Sequence, residues 1–110
     1  MTNGCVLVAS DGIGSSPYLV KDKQTGLLFT SPQTSSSFGH PDIAALDSLC
    51  DKVEFLLDNP CECKKIRQHS MALMQELWNP RIAAERLLTL IDHLQKGKDT
   101  PFVEGPCSKA

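Results

Sequence analysis

A chain of 110 residues with a formal net charge of −2 has room for one small domain, and its weak charge gives no field to draw in a phosphate backbone, which excludes nucleic acid as an implied partner. Hydrophobic residues make up 41% and charged residues 22%, an ordinary globular balance, and no apolar run approaches the roughly 20 residues that a membrane span requires. The opening Met1-Thr2-Asn3-Gly4 carries no basic region and leads into an apolar stretch too short for a secretion signal, so the chain is expected to be cytoplasmic.

Cys5-Val6-Leu7-Val8-Ala9 is a short, continuous apolar run ending at Ser10-Asp11-Gly12. Unbroken apolarity over so few residues predicts a strand covered on both faces, as in a parallel sheet. A second such run, Leu27-Leu28-Phe29, follows Thr25-Gly26. The interval between them is too long for a hairpin and holds one short helix at about Ser16 to Lys21, which predicts a parallel β-α-β unit. Thr30 to His40, rich in Ser, Thr, Pro and Gly, reads as a surface loop.

Three longer helices are expected next. Asp42 can cap a helix with apolar positions Ile43, Leu46, Leu49, Val53, Leu56 and Leu57, stopped by Asp58-Asn59-Pro60. Near Pro60 another begins, with Ile66, Leu73, Met74 and Leu77 apolar and a charged opposite face. Trp78-Asn79-Pro80 breaks the pattern: Asn79 suits a cap and Pro80 the first helical turn. The last helix runs to about Lys96 and is expected to bury Ile82, Ala83, Leu87, Leu90, Ile91 and Leu94. Residues 97–110 show no periodicity and are expected to form a flexible tail behind a folded unit of residues 1–96.

The five cysteines, an odd number without a secretion signal, are expected to be reduced. Cys5 and Cys50 lie inside apolar patterns and are expected to pack as small hydrophobes. Cys61 and Cys63 have no second Cys or His pair at zinc-site spacing, so neither metal nor cofactor is implied.

Two parallel strands apolar on both faces cannot form a stable sheet alone, because each needs neighbours for its hydrogen bonds and cover on both sides. The chain is rich in helices and poor in strands. It reads as the end of a doubly wound α/β domain, two parallel strands followed by three helices, marginal by itself and prone to associate through an exposed strand edge.

From Asn3 to about Leu94 the chain resembles the end of the nucleotide-sugar-binding domain of retaining GT-B glycosyltransferases of the glycosyl transferases group 1 type. The typical pattern is E-A-M-A-x-G-x-P-V-V-A-S-D-x-G-G-x-P-E-L-V-x-D-G-x-x-G-L-L. Here the matching stretch runs Met1-Thr2-Asn3-Gly4-Cys5-Val6-Leu7-Val8-Ala9-Ser10-Asp11-Gly12-Ile13-Gly14-Ser15-Ser16-Pro17-Tyr18-Leu19-Val20-Lys21-Asp22-Lys23-Gln24-Thr25-Gly26-Leu27-Leu28-Phe29. The spacing to Leu56-Leu57-Asp58-Asn59-Pro60 and to Trp78-Asn79-Pro80 is also similar. The resemblance implies the C-terminal part of a Rossmann-like GT-B domain. It further implies a parent that transfers a sugar from a nucleotide-diphosphate donor to a glycan or lipid-linked acceptor, as in cell-envelope polysaccharide synthesis. The family's donor-contacting glutamates and Gly-Phe-Gly loop lie ahead of the position that Met1 occupies, and the glutamate after the proline is Tyr18 here. The segment is therefore expected to be inactive alone.

Asp11-Gly12-Ile13-Gly14 leaves the carboxyl end of a parallel strand, where open α/β sheets bind ligands, and glycines there permit close backbone approach. These four residues are the candidates for lining a substrate cleft; the alternative is a plain strand-to-helix turn. Pro17 occupies the place of the third glycine of a dinucleotide fingerprint, which excludes that motif. Ser15 and Ser16 are expected to cap the short helix. His40, His69 and His93 have no evident carboxylate partner for general acid–base work, and capping and a solvated helix face account for Asp42 and Asp47. Lys64, Lys65 and Arg67 could touch an anionic lipid surface in the parent, or form an ordinary solvated face beside Glu62. No catalytic residue is assigned. Rival readings are a non-enzymatic helical interaction module and a small stand-alone α/β binding domain.

Overall fold

The computed structural model describes residues 1–12, 14–31 and 43–109. The order of elements is β1 (Val8–Ser10), α1 (Ser16–Leu19), β2 (Leu27–Phe29), α2 (Ile43–Asp58), α3 (Pro60–Glu76) and α4 (Pro80–Gln95). The two strands form one parallel sheet in the register Val8↔Leu27, Ala9↔Leu28, Ser10↔Phe29, and an isolated parallel bridge joins Asp22 and Gly26 in the turn that leads into β2. The fold is thus α/β, with the expected β-α-β unit leading into three long helices. The first strand begins later than its apolar run, because the Leu7 carbonyl already accepts from Leu27 N–H at 2.9 Å while Cys5 and Val6 have no facing strand residue. The short helix ends at Leu19 rather than near Lys21, since Lys21 N–H turns to the Thr25 hydroxyl at 3.0 Å. The Asp42 cap and most of the loop from Thr30 to His40 fall outside the described residues.

The turn from Lys21 to Gly26 sets the approach of the strands. Gln24 and Thr25 amides both donate to the Lys21 carbonyl, and Lys23 N–H donates to the Gly26 carbonyl at 2.8 Å. That closure places Lys23 at φ +60, a left-handed conformation. Gly26 packs so tightly that a Cβ there would stand 2.8 Å from the Leu7 carbonyl oxygen and 2.8 Å from Val20 Cγ1. Only hydrogen fits.

The helix boundaries follow their sequence signals. Asn59 Nδ2 donates to the Phe55 carbonyl at 2.9 Å while Pro60 starts α3. Asn79 serves both neighbours: its Nδ2 donates to the Gln75 carbonyl at 2.6 Å, and its Oδ1 accepts from Ile82 N–H at 3.0 Å, capping α4. Trp78, at the junction of α3 and α4, is half-buried.

Burial departs most from expectation. Among the described residues the buried hydrophobic side chains are Val20, Leu27 and Ile66, and the buried polar ones Thr25 and Ser70. Cys5 and Cys50, expected to pack as hydrophobes, are exposed. On α4, Leu87, Ile91 and Leu94, expected to be buried, are exposed, and Leu88 is 69% exposed; on α2, Ile43 is 75% and Leu57 74% exposed. Amphipathic spacing marks which face of a helix seeks cover, and the described residues supply too few partners to cover these faces. The radius of gyration, 16.9 Å, exceeds the roughly 13 Å of a compact chain of this length, and the molecule is a slab of 49 × 38 × 18 Å.

The segment expected to be a flexible tail runs back across the body. Lys21 and Glu104 form an ion pair at 2.5 Å, and Thr100 Oγ1 donates to the Cys107 carbonyl at 2.7 Å. Gly105, at φ +86, is buried so closely that a Cβ would stand 2.7 Å from Leu77 Cγ.

Candidate functional site

The turn after β1 is assembled from the ends of both strands. Asp11 N–H donates to the Phe29 carbonyl at 3.0 Å, continuing the ladder one residue beyond β1. The Asp11 carboxylate accepts from Ser31 N–H at 3.2 Å, and the Ser48 hydroxyl accepts from Thr30 N–H at 3.1 Å. Ser10 Oγ accepts from Gly12 N–H at 3.2 Å, folding the chain back toward the sheet. Gly14 has φ +61, with nothing within 4 Å of an ideal Cβ, so its glycine answers a conformational need and not a spatial one. Ile13, the remaining candidate, lies outside the described residues.

Asp11, Gly12 and Gly14 therefore share one loop at the carboxyl end of β1. Asp11 is exposed, with one carboxylate oxygen already engaged by the backbone beyond β2. Such a loop can form a wall against which a ligand rests. No base and nucleophile meet there within hydrogen-bond reach among the described residues. Ser15 precedes α1 with no side-chain capping bond, contrary to expectation; its carbonyl instead accepts from the Tyr18 and Leu19 amides.

The other candidates stay apart. His69 is exposed on α3 and His93 is half-buried on α4, while His40 and Asp42 lie outside the described residues. Lys65 pairs with Glu62 at 2.6 Å, and that hydrogen bond, with the carboxylate charge, raises the lysine above its ordinary value. Lys64 and Arg67 join Leu56, Leu57, Pro60, Cys63 and Gln68 around a shallow depression of 470 Å³ between the end of α2 and the start of α3. Among the described residues no group of three or more His, Cys, Asp or Glu side chains could hold a metal ion. All five thiols are unbridged. No helix among them is long and apolar enough to cross a membrane.

No family model, curated protein or solved structure matches the chain.

Two residues that organise this region were not singled out from the sequence. Asp22 Oδ1 accepts from Leu28 N–H at 2.8 Å while its carboxylate pairs with Lys52 at 3.4 Å, tying α2 to β2. Ser48, on the same helix, holds Thr30. Asp22 stood in the quoted pattern Val20-x-Asp22 as its acidic position. Ser48, inside an amphipathic helix, carried no local signal.

Proposed function

We propose that this chain is the closing segment of the donor-binding domain of a retaining, nucleotide-sugar-dependent glycosyltransferase. In that parent, Asp11, Gly12, Ile13 and Gly14 form one wall of the donor cleft, and the segment alone carries no catalytic group. Support comes from the turn at residues 21–29. Lys23 stands where the family pattern carries glycine, and it adopts the left-handed φ of +60 that favours glycine. Gly26, the pattern's last glycine, has no room for a side chain, and Asp22, the acidic residue of the D-G-x-x-G stretch, accepts the outward amide of Leu28. Three positions of the motif thus have separate physical reasons within one parallel β-α-β unit. The sparse core and the uncovered apolar faces of α2 and α4 fit a segment that shares its core with further chain. The donor and a glycan or lipid-linked acceptor would be met in the parent. There, Lys64 and Arg67 could rest on an anionic membrane surface.

Calorimetric titration with UDP-glucose and GDP-mannose tests this. The 110-residue chain should give no saturable heat, whereas a chain extended upstream in its own reading frame should bind one of them. Saturable binding by the short chain, or an upstream frame encoding neither the glutamate nor the Gly-Phe-Gly element, would count against it. A second reading, a helical interaction module, is favoured by the exposed stripe of Leu87, Leu88, Ile91 and Leu94 on α4. It predicts that charged substitutions there abolish association and that the upstream extension binds no nucleotide.

A further inference from the structure

The two edges of the sheet are not equivalent. Leu27 N–H donates to the Leu7 carbonyl and Asp11 N–H to the Phe29 carbonyl, so the parallel register turns the backbone polar groups of Leu28 and Thr30 outward from β2. Both outward amides are taken by side chains, Leu28 N–H by Asp22 Oδ1 at 2.8 Å and Thr30 N–H by Ser48 Oγ at 3.1 Å. Lys52, beside Asp22, adds a charge to that edge. Blocking amides and placing charge are how edge strands avoid pairing with other chains. The same register turns Val8 and Ser10 outward from β1, and Val6 precedes the strand. Among the described residues none of their amides has a hydrogen-bond acceptor, and residues 6–10 are half-buried rather than buried. Nothing from Cys5 to Ser10 is charged, and none of these residues is proline. One edge is closed and the other is open.

We propose that the open edge of β1 pairs with β1 of a second copy of this chain, giving an antiparallel dimer with a continuous four-stranded sheet, β2-β1-β1′-β2′. A two-fold axis requires the strands to run antiparallel, and centring it on Val8 sets Val8 opposite Val8 of the second copy and Val6 opposite its Ser10. In that register Asp11 faces the uncharged Cys5 of the second copy, so no like charges meet. The assembly stops at two copies, because both outer edges of the combined sheet are β2 edges closed by Asp22 and Ser48. The inference concerns the 110-residue chain and uses its edge geometry alone; in the longer parent proposed above, a neighbouring strand of that parent's sheet would take the same edge.

Light scattering across a concentration series, with amide exchange followed by NMR, tests it. The mass should rise from 12.0 kDa to twice that and no further. In step, exchange at Val8 and Ser10 should slow, while Leu28 and Thr30 stay unchanged. Val8→Pro removes an outward amide and leaves the inward ladder to β2 intact, so it should stay monomeric at every concentration. A wild-type monomer throughout the series would overturn the proposal. So would a dimer in which Val8 and Ser10 exchange at the monomer rate, since association would then use another face, such as α4. Should Val8→Pro fail to fold, the exchange pattern of the wild-type chain decides alone.

Discussion

Gly26 touches Leu7 so closely that a Cβ on the glycine would stand 2.8 Å from the Leu7 carbonyl oxygen, the acceptor of the Leu27 amide. The contact fixes where the second strand meets the first, one residue before their register begins. It also lies at the buried centre of the molecule, beside Val20, Thr25 and Leu27.

Gly26→Ala should therefore disturb the sheet itself. The added methyl meets backbone on one side and Val20 Cγ1 on the other, and neither is the free end of a flexible chain. A loss of about 1–3 kcal/mol, the usual cost of forced overpacking, is expected in urea denaturation. An unchanged midpoint would mean that the strands do not approach as described.

Lys23 offers a comparison of opposite sign. At φ +60 a side chain costs roughly 1–2 kcal/mol relative to glycine, although the Lys23 ammonium also lies 5.7 Å from the Phe55 ring centroid. Lys23→Ala and Lys23→Gly both lose that ring contact, so their difference isolates the backbone. The glycine variant should be the more stable by about 1 kcal/mol in paired denaturation curves. An alanine variant of equal or greater stability would remove the left-handed turn.

How much was legible in the sequence follows from the range of the forces. The breaks and the Asn79 cap were readable because they are local: Asn79-Pro80 carries its own hydrogen-bond acceptor and its own fixed φ, and α4 begins where those residues stand, whereas the cap expected of Ser15 does not form. The parallel pairing was also legible, from two apolar runs set too far apart for a hairpin. Burial was not. The spacing of Leu87, Ile91 and Leu94 marks a face that seeks cover, but periodicity does not say whether cover is present within the same chain. The candidate loop was picked out by its position after a strand, while Ser48, which holds Thr30 beyond β2 from a distant helix, could not be found by any local pattern.

The last segment was the least legible, because its contacts centre on one side chain. Arg86 lies 4.5 Å over the Phe102 ring centroid and donates through Nη1 to the carbonyls of Glu104 and Pro106. Asp99 and Lys109 close the segment on itself, and that lysine, followed by the Thr100 amide, holds the Asp99 carboxyl below its ordinary value of 3.8. The contribution of this pair is complete above the ordinary carboxylate value and is lost as pH falls through the lower folded value. The lysine, raised above 10.5 by Asp99, sets the other limit: its contribution is complete below that value and is lost as pH rises through the raised one. Arg86→Ala removes both charge-assisted bonds and the ring contact, and should cost about 1–3 kcal/mol. It should also make residues 97–109 the first site of limited proteolysis at neutral pH. In the unaltered chain the same segment should resist cleavage at neutral pH, because the Arg86 contacts are in place. Cleavage there at neutral pH in the unaltered chain, at the rate seen in the variant, would mean that Arg86 does not hold the segment.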